Sequence, residues 1–213
     1  MLTIFNKKKV RSEEAFSLDG LREIISPDVN FCYIKRNIDE DIVLFARLLI
    51  EHKFKGIKEV VTKGNVKSVI TEQLDNTQIH TSGKVLMAED ITRITTCFME
   101  IINQEAVQLY LKVVDNDACT KFHTDRYDLR LLCTYIGKGT EWIEEPYVNR
   151  KMLMHGENHH IIRDFTQVQT MQPFEVGILK GEASKKNKNK GIVHRSPPIA
   201  HLSETRLLLR LDY

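Results

Sequence analysis

Apolar residues follow two different periods along the chain, and the change falls near residue 105. Before it, three- and four-residue spacing places apolar side chains on one face of a helix. The first such stripe follows acidic residues 39–41, and the second follows residues 89–90. We therefore expect helices over residues 39–53 and 89–103, with short helices and a loop over 57–85.

After residue 105, short apolar runs alternate with turn residues. The runs predicted as strands cover residues 107–114, 129–136, 174–180, 192–195 and 206–211. An earlier short strand is expected at residues 31–34. Period-two alternation and closing Gly or Pro residues are typical of strands in an antiparallel sheet. Helices followed by several short strands predict an α+β protein, a double-stranded β-helix (jelly-roll) whose N-terminal helices pack on one sheet.

The chain of 213 residues is long enough for one domain with a sizeable core. We expect a single domain over 1–213, with a mainly helical part at 1–105 and a jelly-roll core at 106–213. One compositionally biased segment is the lysine-rich stretch at 184–190, for which a solvated hairpin turn is the favoured interpretation.

Composition limits the classes of partner and the cell compartment. The net charge is only +2, from 31 basic and 29 acidic residues, so a nucleic-acid partner is not expected. Four cysteines without a C-x-x-C pair predict reduced thiols in the cytoplasm. No apolar run reaches eighteen residues, and the basic residues 7–9 lead into no apolar signal core. We therefore expect neither a membrane segment nor secretion.

A His-x-Asp triplet carries the strongest chemical signal. In an extended segment, His123 and Asp125 lie on the same face. His194 follows 71 residues later, in an apolar strand that ends before Pro197-Pro198. Two histidines and one carboxylate occupy one face of an octahedral metal and leave the opposite positions open, as in non-haem Fe(II) oxygenases. We predict these three residues as metal ligands; a surface histidine and a turn aspartate are the alternative.

Arginines on the last predicted strand form a second candidate group. Arg206 and Arg210 have the same parity, so they point to the same face of the sheet. A guanidinium inside the barrel can bind a carboxylate through two hydrogen bonds. Arg195, beside His194, and Arg130, on the strand at 129–136, compete for this role. Ion pairs or solvent exposure at an edge strand are the alternative.

Other candidates carry weaker signals. His159 and His160, together with Asp164, resemble a metal cluster, but the polar, loop-like stretch around them favours a lid or rim. His155 and His201 are more often structural than ligating. Trp142 either packs over a pocket mouth or anchors its loop. Cys119 is either a metal ligand or an inert buried thiol, and we favour the thiol. The phosphate-binding and serine-hydrolase motifs are absent from the sequence.

Three sequence blocks resemble a known family. They are C-x-x-F-H-x-D at 119–125, R-L-L-C-T-Y-x-G-x-G-T-E-W at 130–142 and V-H-R-S-P-P at 193–198. These blocks look like the bacterial family called domain of unknown function 1826, from about residue 30 to the C-terminus. The resemblance implies a bacterial source and gives no established reaction.

At greater distance the chain resembles the 2-oxoglutarate- and Fe(II)-dependent dioxygenases, such as taurine and phytanoyl-CoA hydroxylases. That resemblance implies iron bound by His123, Asp125 and His194. It also implies that Arg206, or as second choice Arg210, binds the far carboxylate of 2-oxoglutarate. The polar, rigid segment at 195–198 departs from the usual exit of the ligand strand.

We therefore expect an oxygenase acting on an unknown small molecule or protein. Thr134 and Tyr135 lie on opposite faces of one predicted strand, so at most one of them faces the metal. A cupin-like protein that binds zinc or another divalent ion is the alternative. A third hypothesis is a non-catalytic module whose contact is the loop at 185–190. The sequence leaves the substrate, the native metal and the oligomeric state open.

Overall fold

The computed structural model describes residues 10–117, 119–202 and 204–213, so the basic residues 7–9 lie outside the described part. Within these described ranges, the α-helices are α1 (Glu40–Glu51), α2 (Val66–Asp75), α3 (Ser82–Ile102) and α4 (Asn158–Ile161). The ten strands are β1 (Arg11–Ala15), β2 (Val29–Ile34), β3 (Ile57–Thr62), β4 (Ala106–Val114), β5 (Leu129–Ile136), β6 (Glu141–Ile143), β7 (Gln169–Thr170), β8 (Val176–Lys180), β9 (Val193–Arg195) and β10 (Arg206–Asp212).

Two sheets face each other. The larger has the order β1-β2-β8-β5-β10-β4-β3, and the smaller has the order β7-β6-β9. Among the described strands, only β1 and β2 pair in parallel; the other pairs are antiparallel. Apolar side chains from both sheets meet in one buried cluster, made of Phe31, Leu132, Trp142, Met171, Leu179 and Ile192. This arrangement is the predicted double-stranded β-helix.

The helices α1, α2 and α3 cover the outer face of the large sheet. Along β10, Leu207, Leu209 and Leu211 enter the same core as the helical residues Phe45 and Phe98. Because side chains alternate along a strand, Arg206, Leu208, Arg210 and Asp212 project from the opposite face, toward the small sheet. The prediction of N-terminal helices packed on one sheet is confirmed. Among the described residues, no helix is long and apolar enough to cross a membrane.

The predicted helix at 39–53 forms as α1, and the side chain of Asp39 caps its first turn. The Asp39 carboxylate accepts hydrogen bonds from the N–H groups of Asp41 and Ile42, which satisfies donors that lack a partner inside the helix. The predicted helix at 89–103 begins earlier, at Ser82. Gly83 permits this start, since a Cβ there would lie 1.9 Å from the Asp41 carbonyl oxygen of α1.

The segment at 57–85 differs from its prediction in one element. The helix α2 is present, but residues 57–62 form the edge strand β3 instead of a helix or loop. Its central residues Lys58, Glu59 and Val60 are exposed, so the apolar alternation that marks a half-buried strand is missing. The strands β1, β2 and β3 pair in one sheet with strands from the second half of the chain, so the large sheet contains residues from both halves. The predicted division of the chain into a helical part and a jelly-roll part at residue 105 stays a prediction.

Candidate metal centre

His123, Asp125 and His194 come together between the sheets. One ligand-type atom from each residue lies within 4.8 Å of the other two. His194 Nε2 is 3.5 Å from Asp125 Oδ2, and His123 Nε2 is 4.0 Å from Asp125 Oδ1. The His123 and His194 backbones bridge the two segments, because each N–H donates to the other's carbonyl at 3.0 Å. Among the described residues, this is the sole cluster of three or more His, Cys, Asp or Glu residues suited to a metal.

A side chain from α4 fixes the segment that carries His123. The Asn158 amide oxygen accepts from the N–H of Phe122 at 2.8 Å, and its amide nitrogen donates to the Thr120 carbonyl at 3.0 Å. The strand-like backbone before His123 therefore gains partners that a sheet would otherwise supply. Sequence reasoning missed Asn158, because it lies 36 residues from Phe122 and belongs to no motif.

Both imidazole rings present the same nitrogen to the centre. His123 Nδ1 lies 2.7 Å from the Lys121 carbonyl oxygen, and His194 Nδ1 lies 3.2 Å from that of Ile192. A carbonyl oxygen only accepts, so each Nδ1 carries the proton and each Nε2 keeps a lone pair. Burial lowers the pKa of His194 to about 4, so this ring is neutral near pH 7. Neutral imidazole is the form that binds metals.

The Asp125 carboxylate is only half satisfied. Its Oδ1 accepts from Arg130 Nη1 at 2.6 Å. Its Oδ2 is buried and has no hydrogen-bond partner. A buried carboxylate oxygen without a donor is costly to fold. The two imidazole Nε2 atoms beside it carry no proton, so they cannot supply that donor, whereas a divalent cation fits all three atoms.

Two of the four predicted arginines are already engaged. Arg130 links Asp125 to Asp212, whose Oδ1 lies 2.6 Å from Arg130 Nε. Arg195 pairs with Glu141 at 2.6 Å and stacks over the Phe122 ring at 4.5 Å. Arg130 therefore orients a candidate ligand, and neither side chain is left to bind a cosubstrate. Asp212 was missed by sequence reasoning, although its shared parity with Arg210 was a usable signal.

The two arginines of β10 differ in their partners. Arg206 is fully buried, and its Nη2 donates to Thr134 Oγ1 at 3.3 Å, while Nε and Nη1 have no partner. Burial lowers the pKa of Arg206 to about 10. Arg210 instead contacts Asp212 at 3.1 Å and lies 4.1 Å above the Tyr110 ring. Arg206 thus has the free donors that a buried anion requires. Of the two residues predicted to lie on opposite faces, Thr134 is the one that lies on the barrel side, beside Arg206.

A cavity of about 410 Å³ opens onto the centre. Its walls are formed by His123, Thr124, Asp125, Arg126, Tyr127, Leu153 and Met154. The His123 side chain is 34% exposed, against 5% for His194. The centre is therefore reached from the His123 side. Leu153 and Met154 directly precede the segment at 155–160, whose role as a lid or rim stays a prediction.

The weaker candidates do not join the centre. His160 caps its own short helix, since its Nδ1 accepts from the N–H of Glu157 at 3.2 Å, and Asp164 caps the following turn. Cys119 is exposed and lies outside the ligand group, so the favoured interpretation as a buried thiol is wrong. Trp142 is buried between the sheets, with its ring centre 4.8 Å from that of Phe31. It therefore anchors β6 in the core.

Comparison with solved structures identifies the class of fold. The dioxygenase for auxin oxidation 1 from Arabidopsis thaliana, solved with 2-oxoglutarate, aligns with a TM-score of 0.52 and 11% identity over 95% of this chain and 91% of that chain. The rice dioxygenase for auxin oxidation aligns with a TM-score of 0.51 and 9% identity over 96% and 82%. At such identity the likeness shows a shared fold, the double-stranded β-helix of these dioxygenases.

A match to a protein-family model shows which family the chain belongs to. The model of the family described as "protein of unknown function (DUF1826)" matches residues 16–212. The chain belongs to this family, as the sequence blocks predicted. No curated protein matches the sequence.

Proposed function

We propose that this chain is an Fe(II)- and 2-oxoglutarate-dependent oxygenase, a hydroxylase whose substrate is still to be identified. One observation carries the proposal: the barrel encloses both a carboxylate oxygen without a hydrogen-bond partner, which faces two imidazole nitrogens, and a guanidinium with two donor nitrogens that have no partner. The first set suits a divalent metal and the second suits an organic anion. A bacterial source and a cytoplasmic location remain predictions of the sequence.

His123, Asp125 and His194 would hold the iron. Arg130 keeps Asp125 Oδ1 engaged at 2.6 Å, which leaves Oδ2 as the oxygen directed at the metal. The Lys121 and Ile192 carbonyls hold the two imidazoles in the tautomer that ligation needs. Bound there, the iron would supply oxygen activation with 2-oxoglutarate as the electron source.

Arg206 would bind the far carboxylate of 2-oxoglutarate, with Thr134 beside it. Its Nε and Nη1 are free donors in a fully buried position. Charge-assisted hydrogen bonds to a carboxylate are strong in such surroundings, since little water competes with them. Without this anion, the carboxylate that acts electrostatically on the buried Arg206 is Glu141, which already pairs with Arg195, so a further anion is favourable there.

A zinc-binding protein of cupin type remains the alternative, because two imidazoles and a carboxylate also suit zinc. It gives no role to the buried Arg206, whose Nε and Nη1 have no hydrogen-bond partner. The non-catalytic module has less support: the lysine-rich segment forms a short turn at Lys185–Asn187, which Ser184 caps.

The test is an anaerobic titration of the Fe(II)-loaded protein with 2-oxoglutarate, followed by the weak visible absorption of the chelate. We expect saturation in the wild type. Replacing Arg206 with methionine removes a charge-assisted contact worth roughly 1.5–3 kcal/mol, so 2-oxoglutarate affinity should fall about ten- to a hundredfold.

The matched control is Arg210→Met, on the same strand and face. Because Arg210 already contacts Asp212 and Tyr110, we expect its 2-oxoglutarate affinity to stay within about threefold of wild type. Wild-type protein that binds iron but no 2-oxoglutarate would favour the cupin-type alternative. Equal affinity in the wild type and in Arg206→Met would remove Arg206 from the site.

A further inference from the structure

Beyond the metal centre, the barrel-side face of the large sheet continues as a cationic surface. The pairing of β3, β4 and β10 places Lys58, Tyr110 and Arg210 in one cross-strand row. Lys112 lies two residues along β4 from Tyr110, on the same face. Lys58 is exposed, and the other three are half-buried. We call these four residues the cationic face.

Tyr110 lies between two of these charges. The Lys112 ammonium is 4.7 Å from the centre of the Tyr110 ring, and the Arg210 guanidinium carbon is 4.1 Å from it. The face of the ring attracts both cations, whereas the two like charges repel each other, and an anion bound between them would reduce that repulsion. Burial, followed by the neighbouring charge of Arg210, lowers the pKa of Lys112.

The face has too few anions of its own. In the described part of the chain, Arg210 has one acidic contact, Asp212, and Asp212 is shared with Arg130. The Nε of Arg210 is buried and has no hydrogen-bond partner. No ion pair joins Lys58 or Lys112 to any described carboxylate. Unused donors and excess positive charge therefore lie on one surface.

A chain of ion pairs, from Asp125 through Arg130 and Asp212 to Arg210, links the metal cavity to this face. Arg130 contacts the candidate ligand Asp125 at one end of its guanidinium and Asp212 at the other, each at 2.6 Å. Its guanidinium also stacks 4.6 Å above the Tyr127 ring, and Tyr127 forms part of the cavity wall. The same wall carries the exposed Arg126. A molecule held in the cavity would therefore meet positive charge on its way to the cationic face.

We infer that the cationic face binds the anionic part of the substrate, which would be a small molecule carrying a phosphate group or several carboxylates. The inference rests on the proposed oxygenase function, because it makes the occupant that enzyme's substrate. A small anion fits better than a nucleic acid, since the chain's net charge is only +2. The paired cations around Tyr110 would supply charge-assisted contacts, and the ring would provide a flat wall.

The experiment is calorimetric titration of the purified protein with two probes, inorganic pyrophosphate and tricarballylate. We expect saturable binding of at least one probe, weakened by added salt. Lys58→Gln/Lys112→Gln removes two charges from the face, and affinity should fall at least about tenfold. Lys58→Gln alone, at an exposed position that should not disturb folding, should weaken binding in the same direction.

The matched control is Lys185→Gln/Lys186→Gln, which removes two exposed lysines from a turn outside the cationic face and gives the same change in net charge. Its affinity should stay within about twofold of wild type. Equal weakening in both double variants would mean diffuse attraction and would overturn the inference. So would a wild type that binds neither probe. The probe that binds more tightly identifies the phosphate or the carboxylate source.

A His194→Ala variant separates this inference from the proposed function. It breaks the metal site, yet probe binding at the cationic face should persist. Loss of probe binding there would place the probe on the metal and contradict the inference. If the wild type binds a probe but forms no iron–2-oxoglutarate complex, the anion-binding face stands and its role in binding an oxygenase's substrate is overturned. The missing complex by itself counts against the proposed oxygenase function.

Discussion

Two buried carboxylates, one beside each face of β5, are partnered very differently. Asp90, on α3, receives Arg36 through two hydrogen bonds of 2.6 and 3.1 Å, and the Tyr135 hydroxyl donates to it at 2.9 Å. Asp125 lies on the barrel side. Among the described residues, its carboxylate accepts a side-chain hydrogen bond from Arg130 alone, and its Oδ2 has no hydrogen-bond partner. Both residues are 7% exposed. A carboxylate whose oxygens are both satisfied stabilises the fold, whereas one with a free oxygen is available to a ligand.

The two arginines reinforce this difference. Arg36 also donates to the Phe174 carbonyl at 2.7 Å, so it ties the helical layer to the sheet. Arg130 donates hydrogen bonds to Asp125 and Asp212, which both lie on the barrel side. One cluster therefore joins layers of the structure, and the other orients a single side chain within a cavity.

The largest stability effect should come from the saturated cluster. Asp90→Asn keeps the side-chain shape but leaves the Arg36 guanidinium without its charge partner. Breaking a buried ion pair by removing one partner costs roughly 3–5 kcal/mol. Urea denaturation monitored by circular dichroism measures this change in the free energy of unfolding. A loss below about 1 kcal/mol would show that the cluster contributes little to stability.

The pH dependence sharpens this prediction. Burial raises the pKa of Asp90, but the hydrogen bonds and charge of Arg36 outweigh it, so the pKa is lowered on balance. The stability gained from a lowered carboxyl pKa is present above the unfolded value of about 3.9 and is lost as the pH falls through the folded value. Below about pH 4, stability should therefore fall less steeply in Asp90→Asn than in wild type.

A much smaller stability effect is expected from Asp125→Asn in the metal-free protein. Arg130 keeps Asp212 as a partner, and the unpartnered Oδ2 has no hydrogen bond to lose. The lost contact to Oδ1 is offset by removal of a buried, half-satisfied charge, so we expect a change within about 1 kcal/mol. The same urea denaturation checks it. If Asp125→Asn costs as much as Asp90→Asn, the functional distinction between the two carboxylates is wrong.

The sequence predicted the fold where local pattern and burial agree. The strand at 129–136 has the predicted limits, and Asp39 marked the start of α1 correctly. It failed where tertiary contacts decide. The edge strand β3 is exposed at its centre, and α3 extends back to Ser82 because Gly83 packs against α1.

The same distinction between local pattern and tertiary contacts applies to the candidate site. The triplet spacing was enough to anticipate that His123 and Asp125 share a face, whereas His194 joins them through a backbone bridge between distant segments. The sequence could not choose among four arginines, because their partners are distant along the chain: Asp212 lies 82 residues from Arg130. The Asp90 cluster was missed for the same reason, with Arg36 54 residues away.

Metal binding by the two carboxylate variants tests the account most directly. Equilibrium dialysis against Fe(II) without oxygen, followed by metal analysis, should give one iron per chain for wild type and for folded Asp90→Asn. Asp125→Asn removes the anionic ligand, and we expect its Fe(II) affinity to fall at least about a hundredfold. Wild-type protein that binds no stoichiometric metal, or Asp125→Asn that binds it as tightly as wild type, would contradict the assignment of the metal centre.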